Sequence, residues 1–191
     1  MRVKMLFDRI LDKFKWLKKE PDVISEENIS EQKDEFEISF EELSKEIKLD
    51  AKLAAELSVN FSDFSNERLV SEIKNHREKL SRLKESVRSK NRLDLYDEII
   101  CLERLLASAD KFCGLLSEKK AAEIAFPERA DDEIKMFSEM IKDDSTEISE
   151  INETRKTLRE KQIRRMQKGK FTTRAGLMYL EIIETMAELK A

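Results

Sequence analysis

An all-α fold follows from three features of the sequence. Its 191 residues include only three glycines and two prolines, too few to turn a β-rich chain at its many corners. Apolar side chains recur at three- and four-residue intervals over long stretches, which gathers them on single helix faces. Charged residues make up 41% of the chain, against ~25% in an average domain, and they fill the intervening positions as on salt-bridged outer faces. The order of the stripes predicts two antiparallel three-helix bundles in tandem, preceded by an amphipathic helix.

The opening helix, residues 3–18, collects Val3, Leu6, Phe7, Ile10, Leu11, Phe14 and Leu17 in one stripe, leaving Met5 and Trp16 on the far side. Pro21 stops it. Residues 1–19 are thus a basic amphipathic helix, and residues 20–38 read as an acidic linker with little periodicity.

The first bundle, residues 39–117, is expected to open at a capping box formed by Ser39 and Glu42. Its first stripe runs through Leu43, Ile47, Leu53 or Ala54, Leu57 and Phe61. Asn66 is the expected cap of the second helix, whose Leu69, Val70, Ile73, Leu80, Leu83 and Val87 lie close to a coiled-coil seam. The third helix, residues 93–116, is apolar around most of its circumference, from Leu95 and Ile99 through Leu106 to Phe112 and Leu116, and so belongs at the centre.

The second bundle, residues 118–191, repeats that order. Pro127 suits the start of a helix striped by Ile134, Phe137, Met140 and Ile141. Ile148, Ile151, Leu158, Ile163 and Met166 carry a long polar helix to Gly169, a natural C-terminal stop. Thr172 or Thr173 then starts the last, strongly apolar helix.

Charge is unevenly spread although the net is only −4. Residues 1–19 carry seven Lys/Arg against Asp8 and Asp12, whereas residues 20–50 carry twelve acids against Lys33, Lys45 and Lys48. The acidic run beside the basic helix argues against a nucleic-acid partner. No apolar run approaches the ~20 residues of a membrane span, and residues 1–19 lack a signal-peptide core. The expected location is cytoplasmic, with any membrane contact peripheral to the inner face. Phe7, Phe14, Trp16, Lys13 and Lys15 are the candidate contacts with a membrane or a partner. The same stripe suits packing on the bundle or on a second copy of the chain.

Cys101 and Cys113 lie on one predicted helix, ~18 Å apart along its axis, too far to pair within it. Both are read as buried, reduced thiols. His76, the one histidine, stands among Asn75, Arg77, Glu78 and Lys79 and reads as solvated. One histidine and two separated cysteines leave no zinc-ligand spacing and no Cys/His nucleophile pair, and no phosphate-cradling loop appears. No catalytic residue and no cofactor is therefore expected. Asp94, Asp97, Glu98 and Glu103 form one acidic face and Glu181, Glu184 and Glu188 another. Of these, Asp97, Glu103, Glu181 and Glu184 are weak metal candidates, and a solvated helix face is the simpler reading.

The stretch from Gln162 through Gly169-Lys-Phe-Thr-Thr-Arg-Ala-Gly-Leu-Met-Tyr-Leu-Glu-Ile-Ile to Met186 resembles the end of PhoU-like domains, found in phosphate-uptake regulators and at the cytoplasmic tails of sodium/phosphate cotransporters. Arg165, Met166, Gly169, Gly176, Leu177, Tyr179, Leu180, Ile182 and Ile183 stand at the corresponding places. In the first half, Ile99-Ile-Cys-Leu-Glu-Arg-Leu is similar to the family's Leu-Glu-Arg-Ile phrase, with Glu103 and Arg104 in register. Many members carry Glu-x-x-x-Asp pairs on their third helices that hold metal clusters. Here Ala107 follows Glu103, and Ala187 and Ala191 take the places in the last helix, so the resemblance implies no such cluster.

The resemblance implies a non-enzymatic adaptor in the regulation of phosphate transport or phosphate signalling, docking on a membrane transporter or a sensor protein. The alternative is a self-associating helical scaffold or coiled-coil protein with no tie to phosphate. A homo-oligomer, most simply a dimer, fits Met5, Trp16 and Val59, which lie off the main stripes.

Overall fold

The apolar stripes become six helices in the computed structural model, which describes residues 26–89 and 95–190, with side chains from Ser39 onward. They are α1 (Glu26–Leu57), α2 (Asp63–Ser89), α3 (Tyr96–Ala121), α4 (Glu128–Lys142), α5 (Ile148–Gln167) and α6 (Thr173–Ala187). The protein is all-α, with no strand among the described residues. It divides into two compact units, Met1–Ser39 and Phe40–Ala191. Of the first, only the helical backbone of residues 26–39 is described, so the expected opening helix lies outside the described residues.

α1 begins well before the expected cap. Ser39 lies within it, so the Ser39/Glu42 capping box does not form, and residues 26–38 are helical rather than a featureless linker. The reason is that no glycine or proline interrupts the chain after Pro21 for more than ninety residues, and Glu, Gln and Lys between those points are good helix formers. α2 likewise starts ahead of Asn66. Its first turn is held by Ser62, whose hydroxyl accepts the Ser65 N–H at 3.1 Å. Asn66 is instead a buried helical residue, its amide donating to the Ser117 hydroxyl of α3 at 2.9 Å.

The other ends follow the sequence more closely. Pro127 stands in extended conformation immediately ahead of α4, and Thr172 caps α6 by accepting the Ala175 N–H. α5 closes in a Schellman motif. The Lys170 N–H reaches the Arg165 carbonyl, and Gly169 takes the left-handed conformation that lacks a Cβ penalty, at φ 66°. α3 closes in the same way through Ile124 and Lys119, but with Glu123 in the left-handed position, at φ 50°.

Cross-helix pairs fix the directions. Lys79 with Glu46 and His76 with Asp50 show that α2 runs antiparallel to α1. Lys84 with Glu103 and Arg77 with Asp110 do the same for α3 against α2. α6 returns along α5, with Arg155 on Glu184 near one end and Gly176 against Met166 near the other. The two sets of three helices then meet twice. α4 lies antiparallel to α1, where the Ser138 hydroxyl donates to the Ala55 carbonyl at 2.7 Å, and α6 lies antiparallel to α3, where Ser108 donates to Glu188. The third helix of each set is central, as its apolar circumference predicts. Ile99, Leu106 and Phe112 of α3 and Tyr179, Ile182 and Ile183 of α6 are almost completely buried. No described helix is long and apolar enough to cross a membrane.

Candidate functional site

On α1 the core takes Leu43, Ile47, Ala51, Ala54, Ala55 and Leu57, a stripe with helical spacing. The helix therefore turns Lys45, Lys48, Leu49, Lys52 and Leu53 away from the core. Leu49 is 55% exposed and Leu53 38% exposed, which is unusual for leucines at adjacent turns of one helix. Beside them is an open groove of about 400 Å³. One wall is Lys45, Lys48, Leu49 and Lys52, the floor includes Leu105 of α3 and Ile141 of α4, and the far side is Asp144, Leu189 and Lys190.

The groove exists because α4 and α6 both stop there, at Lys142 and Ala187, while α1 runs past them. Its chemistry is basic. Lys52 is paired with Asp144 at 2.7 Å, which holds the Asp144 carboxyl below the usual carboxylate range. Lys190 donates to the Asp143 carbonyl at 2.5 Å, just beyond the end of α4, where helix carbonyls favour a cation. The Asp143 carboxylate accepts the backbone N–H and hydroxyl of Ser145, which lower its pKa and tie it to its own turn. Lys45 and Lys48 pair with no carboxylate among the described residues. The lining thus carries four lysines against one aspartate.

Two polar clusters lie elsewhere. In the first, His76 is buried, 8% exposed, and lies between two carboxylates of α1: Nδ1 is 2.6 Å from Asp50 and Nε2 is 3.1 Å from Glu46. This corrects the solvated reading of His76. Burial raises the Asp50 pKa, and hydrogen bonding and charge from His76 pull against it. Cys113 is close enough to feel the Asp50 charge. Burial first, then Asp110 and Asp50, push its thiol up to about 12, so it stays protonated and is a poor nucleophile.

In the second cluster, Arg165 of α5 makes a two-pronged pair with Glu133 of α4, at 2.7 and 2.8 Å, and the Tyr179 hydroxyl of α6 donates to the same carboxylate at 3.0 Å. Burial acts to raise the Glu133 pKa, but Arg165, Tyr179 and Lys161 together bring it below its ordinary value. Burial also raises the Tyr179 pKa, so the phenol remains a donor. Nearby, Gly176 lets α6 lie against Met166, where a Cβ would stand 2.6 Å from the thioether sulfur. Arg165, Met166, Gly176 and Tyr179, four residues of the stretch from Gln162 to Met186, are therefore joining surfaces between helices.

The carboxylates considered as metal ligands are dispersed. Glu103 is held by Lys84 at 2.7 Å, Glu184 by Arg155 and Arg159, and Glu181 lies 3.8 Å from Lys111. Asp97 is exposed in the first turn of α3. No group of three His, Cys, Asp or Glu able to hold a metal occurs among the described residues. Cys113 is buried as expected, but Cys101, on a different face of α3, is exposed rather than buried. Phe7, Lys13, Phe14, Lys15 and Trp16 lie outside the described residues.

The groove was not apparent from the sequence, because its lysines look like any solvated face. The signal that was present is Leu49, a leucine off the stripe through Leu43, Ile47 and Leu57. Comparisons with protein-family models, with curated proteins and with solved structures find no match for this chain.

Proposed function

We propose that this protein is a non-enzymatic helical adaptor of PhoU-like character, which regulates phosphate transport or phosphate signalling by docking on a membrane transporter or a sensor protein. The observation that carries the docking part is the groove along α1, where Lys45 and Lys48, which pair with no carboxylate among the described residues, flank the 55%-exposed Leu49. A surface that offers both charge and apolar area without using either internally is what a protein partner takes up. The link to phosphate rests on the stretch from Gln162 to Met186 in the sequence. The inward use of Arg165, Met166, Gly176 and Tyr179 supports reading that stretch as scaffold.

The test is a crosslinked capture of the tagged full chain from membranes of its native cell, with partners identified by mass spectrometry. Enrichment of a phosphate transporter or its sensor is the expected result. Recovery of the protein alone would favour the self-associating scaffold and remove the tie to phosphate.

A further inference from the structure

Resting on the adaptor reading, we propose that the groove beside α1 receives an acidic amphipathic helix of a partner protein. Three observations choose this occupant. The first is charge, since Lys45, Lys48, Lys52 and Lys190 face Asp144 alone, and two of the four lysines have no partner among the described residues. The second is spacing. Lys45, Lys48 and Lys52 are at i, i+3 and i+7, so their charges are strung ~10 Å along one helix face. A single small anion cannot touch all three, whereas carboxylates at the same spacing on a second helix can. The third is the apolar strip. Leu49 stands among the lysines, Leu189 lies across from it, and the floor between α1 and the ends of α4 and α6 is closed by Leu105 and Ile141. A concave floor accepts a side chain such as leucine from a partner helix, as in other helix-in-groove complexes. A lipid headgroup layer would reach the lysine rim but leave that floor empty.

The probe is a synthetic helical peptide with glutamates at i, i+3 and i+7 and a leucine at i+4, carrying a fluorophore. Titrating it with the full chain should give saturable anisotropy change that weakens as salt is raised. The double variant Lys45→Glu/Lys48→Glu should weaken binding about tenfold or more, Leu49→Ser should weaken it as well, and Lys74→Glu on the exposed face of α2 should not. All these positions are exposed, and unchanged helical circular dichroism checks the fold. The assignment is overturned if the peptide does not bind, or if it binds the double variant as well as the wild type. It is also overturned if sedimentation with phosphatidylserine vesicles depends on Lys45 and Lys48 while the peptide does not. Capture of a transporter that persists in the double variant would sink the groove and leave the adaptor reading standing. Peptide binding without any transporter or sensor in the capture would leave the groove and remove the phosphate role.

Discussion

Nδ1 of His76 on α2 lies 2.6 Å from a carboxylate oxygen of Asp50 on α1, and both side chains are buried. Because Glu46 sits against the other ring nitrogen, a neutral imidazole with its single proton cannot donate to both acids. Glu46 is half exposed and also pairs with Lys79, so Asp50 is the acid that depends on the ring. Removing His76 leaves Asp50 buried and without its partner. His76→Ala should lower stability by ~3 kcal/mol in urea unfolding at neutral pH. The double variant His76→Leu/Asp50→Leu should be less damaged than the sum of its single changes, which a double-mutant cycle would measure.

Acid should loosen the joint between α4, α5 and α6. The pKa of Glu133 is depressed in the folded protein, so its pairs with Arg165 and Tyr179 stabilise the fold above the unfolded value of ~4.3. That contribution is lost as pH falls through the lower, folded pKa. Urea midpoints taken from about pH 6 down to about pH 3 should fall less steeply in Glu133→Gln than in the wild type. Equal slopes would show that the pair contributes nothing to acid sensitivity.

Gly176 and Met166 form a size-matched pair. Gly176→Ala places a methyl 2.6 Å from the Met166 sulfur, and the thioether must swing aside. The loss should be ~1–2 kcal/mol, moderated by the flexibility of methionine. Combining it with Met166→Ala should cancel most of the clash, visible as a strongly non-additive thermal midpoint.

Glu123 occupies a left-handed position that costs a side-chain-bearing residue ~1 kcal/mol. Glu123→Gly should therefore raise stability by ~0.5 kcal/mol, because the gain is offset in part by the freedom glycine has in the unfolded chain. Gly169→Ala at the matching end of α5 should do the reverse. Thermal unfolding of the two variants should shift in opposite directions.

Helix identity and the central role of α3 and α6 were legible because they depend on apolar spacing alone. What escaped were polar residues inside that spacing. On α2 the steps from Leu69 to Ile73, Leu80 and Val87 leave a seam position that His76 fills, and Asp50 fills the one between Ile47 and Ala54. On α5, Gln162 stands four residues after Leu158 and is completely buried, with neither side-chain polar atom hydrogen-bonded. A pattern reader drops such residues as polar, although the seam geometry buries whatever occupies it. Local composition also misled at Ser39, where a good capping sequence lies within a helix already under way. Individual exposure was beyond reach for the converse reason. Ile148 and Leu177 fit helical stripes yet are 55% and 56% exposed, since the stripe is wider than the surface that covers it.

The antiparallel seating of α6 on α3 makes the two halves of the second unit each other's missing solvent. A chain nicked between residues 122 and 127 would give two pieces, each with a central helix stripped of the apolar cover that the other supplies. Neither piece should hold its tertiary structure alone, and mixing them should restore the fold by reassociation. One cooperative melting transition, rather than two, is the corresponding behaviour of the intact unit.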